Sequence, residues 1–133
     1  MTNDRVQVLE RVFRSWAQGD FRATVDLMAS DIVTTWDEPP SEIVARGREE
    51  AMARFRDLLR QWRQFRAEAE EFVVLDDDTV LVIAQQRAFG RLSGVETQAR
   101  VYIVCRFRGD QLAATHRHFD RERALAAAGV SAR

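Results

Sequence analysis

Between Phe65 and Asp120 the chain reads as four apolar segments separated by three tight breaks. The segments are Phe65–Leu75, Thr79–Phe89, Val95–Arg108 and Gln111–Asp120. The breaks are Asp76-Asp77-Asp78, the GRLSG run Gly90–Gly94, and Gly109-Asp110. Connections this short cannot carry a crossover, so consecutive strands must be antiparallel neighbours. This half of the chain is therefore expected to form a meander. Within it, Val80–Ala84 is apolar without interruption, as a strand buried on both faces requires.

The first half has a different period. Val6, Leu9, Val12, Phe13 and Trp16 recur at helical spacing, and Gly19 stops the pattern. Asp20 is placed to cap a second, shorter helix over Phe21–Ala29, with Phe21, Val25 and Met28 on one face. Ile32–Trp36 is rich in β-branched and aromatic residues and reads as a short strand. Asp37–Arg46, with Pro39-Pro40, reads as a loop long enough to rim a pocket. After Gly47, a third helix is expected over Arg48–Gln64, its stripe formed by Met52, Phe55, Leu59 and Trp62. A short helix, Arg121–Ala128, closes the chain before Gly129. Helices first and a strand meander second place the chain in the α+β class, as one domain over residues 1–133.

Composition narrows the function. The net charge is −1, and the arginines of the third helix are interspersed with Glu49, Glu50 and Asp57, so neither nucleic acid nor an anionic membrane is expected as a partner. The basic residues are all arginine, which excludes Schiff-base chemistry on a lysine side chain. The single cysteine, Cys105, excludes an intrachain disulfide and a cysteine-based zinc cluster. No apolar run is long enough to span a bilayer and the start MTNDR lacks a signal-peptide core, so a cytoplasmic location is expected.

Several stretches carry a resemblance: VLERVFRSWAQGDFRATVDLMASDIV, GREEAMARF, WRQFRAEAEEFVVLDDDTVLV and RGDQLAATHRHFDRERALAAAG. In this order and spacing they resemble the SnoaL-like members of the nuclear transport factor 2-like superfamily. The resemblance implies a cone-shaped curved antiparallel sheet packed on three N-terminal helices, with a short C-terminal helix and an apolar cavity. It also implies a homodimer formed through the sheet. Known relatives include ketosteroid isomerases, polyketide cyclases, epoxide hydrolases, dehydratases and non-catalytic binding domains, so fold alone does not assign function. The steroid-isomerase general base would fall at Trp36, with Asp37 one residue late; its tyrosine would fall at Val12 and its protonated acid at Ile103. The aspartate that cyclases carry on the last strand would fall at Arg117. The same correspondence turns Ala113, Thr115, Arg117 and Phe119 toward the cavity, whereas another SnoaL-like branch ends in a similar histidine-containing stretch.

Two arrangements of the last strand follow, because residues two apart share a face. With His116, His118 and Asp120 inward, the histidines form an acid/base pair and Asp120 orients one of them. With Arg117 inward, a buried cation needs a partner, and Glu96, Asp37 or a ligand anion could supply it. The expected catalytic set is His118 or His116 moving the proton, Asp37 as alternative base, and Arg117 stabilising an anionic oxygen. The expected ligand-binding set is Phe13, Trp16, Trp36, Phe55, Trp62, Arg87, Ile103, Cys105, Thr115 and Phe119. The function expected is cofactor-independent isomerase-, cyclase- or dehydratase-type chemistry on a small hydrophobic carbonyl or polyketide-like compound. The alternative is a non-catalytic ligand-binding or accessory dimerisation domain. No cofactor is expected. The paired histidines suggest a metal, but no further histidine exists to complete such a site.

Overall fold

A computed structural model describes residues 2–38 and 41–129. Helix α1 (Thr2–Ala17) and the short α2 (Arg22–Leu27) lead into strand β1 (Met28–Glu38) and its hairpin partner β2 (Ser41–Arg46). Helix α3 (Arg48–Gln61) precedes strands β3 (Trp62–Asp76), β4 (Thr79–Gly90), β5 (Glu96–Arg108) and β6 (Gln111–His118), and α4 (Arg121–Ala127) follows. The strands form one sheet in the order β2-β1-β6-β5-β4-β3. Among the described residues, no helix is long and apolar enough to cross a membrane.

The meander forms as the short turns require, and Gly109 takes φ +64° in the turn before β6, a conformation glycine adopts without steric cost. The sheet is not antiparallel throughout, however: β1 and β6 run parallel. The whole meander separates them in sequence, ample length for a parallel return. Register shifts interrupt the β3–β4 ladder, and Gln64 near the start of β3 takes φ +54°, irregularities of the kind that bend a strand.

Several boundaries differ from the sequence reading: α2 ends at Leu27 rather than Ala29, and β1 runs Met28–Glu38 rather than Ile32–Trp36. The segment expected as a loop contains β2, because Ile43-Val44-Ala45 favours pairing with β1 and the prolines precede the strand rather than interrupt it. Pro39 and Pro40 themselves lie outside the described residues. Helix α3 stops at Gln61, and Trp62 opens a long β3 in extended conformation. Asp20 does accept from the Arg22 backbone N–H at 3.1 Å, although the residue at the cap position is Phe21.

The inner face of the sheet buries Val80, Val82, Ala84, Val101, Cys105 and Phe107 against Leu9, Val12 and Phe13 of α1. The intervening Leu81, Ile83 and Val104 point outward and are covered by Ala124 and Ala128 at the C-terminal helix. Strand β4 is thus buried on both faces, as its unbroken apolar run indicated. Asp120 caps α4 by accepting from the Glu122 N–H at 2.8 Å, and it does not orient a histidine.

Candidate functional site

Between the helices and the inner face lies a cavity of about 640 Å³. Its aromatic side is built by helical spacing: Phe13 and Trp16 from α1, Phe21 beside α2, and Phe55 from α3. Trp16 stacks on Phe55 at 5.3 Å and 29°, and Phe21 meets both rings edge-on at 5.0 Å. The indole N–H of Trp16 donates to Thr24 Oγ1 at 2.6 Å, so this ring offers the cavity its apolar face.

The opposite wall belongs to the sheet. Thr34 and Trp36 of β1 stand in register with Thr115 and Arg117 of β6, and all four line the cavity. Arg117 Nη1 donates to Gln86 Oε1 from β4 at 2.6 Å. Thr34 is 3% exposed, and its Oγ1 has no hydrogen-bond partner among the described residues. Cys105 lines the same wall, fully buried, and desolvation pushes its thiol up to about 12. It is therefore a neutral apolar group rather than a nucleophile.

The histidines occupy the other face. Counting alternately from buried Leu112 would turn His116 and His118 inward. The register instead pairs Phe107 with Leu112 and Arg106 with Ala114, leaving Ala113 as an extra residue. This bulge resets the alternation, so that Thr115 and Arg117 point inward and His116 and His118 point out. Asp37, next to inward Trp36, also points out. His118 Nδ1 lies 2.7 Å from Asp37 Oδ2 and His116 Nε2 lies 3.1 Å from Asp37 Oδ1. Burial raises the Asp37 carboxyl, but hydrogen bonds from His118 and His116 outweigh it and hold the group below its ordinary value. Burial dominates at His118 and lowers its pKa, despite the favourable bond to Asp37. A neutral His118 facing a carboxylate carries its proton on Nδ1. The expectation of histidine or Asp37 acid/base chemistry inside the cavity is therefore corrected: none of the three lines it.

Of the expected ligand-binding residues, Phe13, Trp16, Trp36, Phe55, Ile103, Cys105 and Thr115 line the cavity. Trp62, Arg87 and Phe119 do not. Trp62 sits where α3 turns into β3, opposite Gly90. Arg87 points outward from β4 and pairs with Glu96 at 3.2 Å, which also removes Glu96 as a partner for Arg117. Phe119 follows β6, is 44% exposed, and lies 5.5 Å beneath the Arg117 guanidinium. Thr34 and Gln86 were overlooked, although each stands two residues from an inward neighbour on its strand.

Comparison with known proteins agrees with this architecture. An NTF2-like protein of unknown function from Burkholderia pseudomallei superposes with a TM-score of 0.77 at 18% identity, covering 95% of this chain and 96% of that one. A candidate SnoaL-like polyketide cyclase from Jannaschia gives 0.75 at 17% identity, with coverage of 92% and 89%. A ketosteroid isomerase-like fold from Catenulispora acidiphila, solved with trimethylamine, gives 0.73 at 14% identity and covers 92% of each chain. No curated protein matches the sequence. The SnoaL-like domain model matches residues 9–115, and the chain accordingly belongs to the SnoaL-like domain family.

Proposed function

We propose that the chain binds a small amphipathic molecule whose flat apolar body lies against Trp16 and Phe55 and whose anionic oxygen meets Arg117. The observation that carries this reading is polar asymmetry. The helix side presents aromatic rings, its charged Arg22 and Arg56 being solvent-exposed, whereas on the sheet wall Arg117, Gln86 and the unbonded Thr34 hydroxyl sit together. Such a cavity rewards a ligand that is apolar over most of its surface and hydrogen-bonds at one end. A guanidinium recognises a planar carboxylate or enolate oxygen pair better than a neutral carbonyl.

Non-catalytic binding is favoured over turnover by what the wall lacks. Among the described residues lining the cavity there is no histidine, and the one carboxylate, Asp20, is tied to Arg22 at 3.1 Å. A second reading, turnover of a small carbonyl compound, rests on Arg117 alone. Its charge could stabilise a developing enolate, while the proton acceptor would come from the substrate or solvent.

The test is a matched pair of ligands, a naphthoic acid and its methyl ester, followed through the indole fluorescence of Trp16 and Trp36. The acid is expected to bind more tightly by about ten- to a hundredfold, the value of one charge-assisted hydrogen-bonded contact. Arg117→Gln should erase that preference while ester binding survives. Equal affinity for acid and ester, or a preference that persists in Arg117→Gln, would remove the proposal.

A further inference from the structure

The outer face of β1, β2 and β6 gathers a second set of groups, independent of the cavity. Both histidines of the chain meet Asp37, and His116 also approaches Glu42, carboxylates from distant sequence. His116 Nε2 lies 3.1 Å from Asp37 Oδ1 and 3.8 Å from Glu42 Oε2, and His118 Nδ1 lies 2.7 Å from Asp37 Oδ2. One donor atom each from Asp37, His116 and His118 falls within 4.8 Å of the others. The imidazoles stack at 3.8 Å and 28°, turning a nitrogen from each toward the same carboxylate.

We propose that Asp37, His116, His118 and Glu42 form a site for a divalent transition-metal ion, with zinc the best match. Asp37, His116 and His118 supply three grouped donors. Glu42, 3.8 Å from His116 Nε2, is the neighbour placed to swing in as the fourth, and the two carboxylates supply the charge that compensates the cation. The donors stand on three adjacent strands whose pairing places them: Glu42 is opposite Asp37, and His116 is opposite Thr35. Their positions are thus set by backbone ladders rather than by a loop. A tetrahedral ion with bonds of about 2.0–2.2 Å separates its donors by roughly 3.3–3.5 Å. The present contacts of 3.1 and 2.7 Å open to that spacing through small side-chain rotations. Entry is from the side of Glu42 and His116, whose side chains are 55% and 27% exposed.

Two features bound the affinity. Coordination through Nδ1 leaves the His118 proton on Nε2, which is buried and has no hydrogen-bond partner among the described residues. Supporting partners of this kind are worth about ten- to a hundredfold in metal affinity, so the site is weaker by that factor than one with a supported histidine. Arg123 Nη1, 3.8 Å from Asp37 Oδ2, competes for the same carboxylate.

The experiment titrates the full, untagged, metal-stripped chain with Zn²⁺ against a chromophoric chelator, and separately with Co²⁺ while visible absorption is recorded. One ion per chain and the intense cobalt bands of a four-coordinate site are expected. His116→Ala should weaken binding by at least about tenfold, and Glu42→Gln, at an exposed position, should weaken it several-fold with circular dichroism unchanged. Arg123→Gln should tighten binding, a gain that a purely structural cluster would not show. Absence of stoichiometric Zn²⁺ binding, or binding indifferent to both His116→Ala and Glu42→Gln, would overturn the site.

Discussion

The two faces of the β1–β6 pair differ more than any two distant parts of the molecule. On the inside, Thr34, Trp36, Thr115 and Arg117 face an aromatic cavity. On the outside, one residue along, Asp37, His116 and His118 close on one another within hydrogen-bond distance. The titratable groups that would suit proton transfer sit outside the lining of this cavity, whose sheet wall carries Arg117 instead. Chemical character on these strands is therefore decided by the pleat, and proximity in sequence says little about a shared role.

The largest effect that breaks this comparison is expected from Asp37→Ala. It strips both histidines of their acceptor at a buried position, and urea denaturation should show a loss of about 2–4 kcal/mol. If the faces are independent, the preference of the cavity for an acid over its ester should survive in the folded fraction. A smaller, opposite effect is expected at Thr34. Its hydroxyl is buried without a hydrogen-bond partner among the described residues, so Thr34→Val should leave stability unchanged or raise it by up to about 1 kcal/mol. Binding of the acid should weaken a few-fold in the same variant. A Thr34→Val protein that is clearly destabilised would show that the hydroxyl is satisfied by water and not reserved for a ligand.

The smallest effect concerns Cys105. Its thiol is raised from 9.0 to about 12 by burial, so native protein at pH 8 should resist alkylation while urea-unfolded protein reacts readily, as mass spectrometry would show. A folded pKa above the unfolded one gives a contribution that is complete below pH 9 and fades as pH rises toward 12. Rapid native-state labelling would mean that the inner wall opens to solvent at this strand.

Much of the fold was legible because local signals agreed with the global arrangement. The turn at Gly109-Asp110, the unbroken run Val80–Ala84 and the stripe ending at Trp16 each imposed one outcome. Strand β2 was hidden because Pro39-Pro40 is a strong breaker signal, while Ile43-Val44-Ala45 is too short to outweigh it in sequence. The site was half legible. Trp16 and Phe55 follow from periodicity and Ile103 from the family resemblance, but which residues of β6 accompany them depends on Ala113, an extra residue that leaves no compositional trace. Glu42 was invisible for another reason: its relation to the histidines exists only through the pairing of β2 with β1 and β1 with β6.

That extra residue gives the chain a short evolutionary path between two kinds of chemistry. With Ala113 present, β6 offers the cavity a permanent cation; a chain lacking it would carry the same last five residues of the strand half a pleat out of phase. His116 and His118 would then be interior, and Arg117 would face α4 and solvent. A single-codon deletion, at the expense of one alanine, would thereby exchange a cavity wall carrying arginine for one carrying histidines.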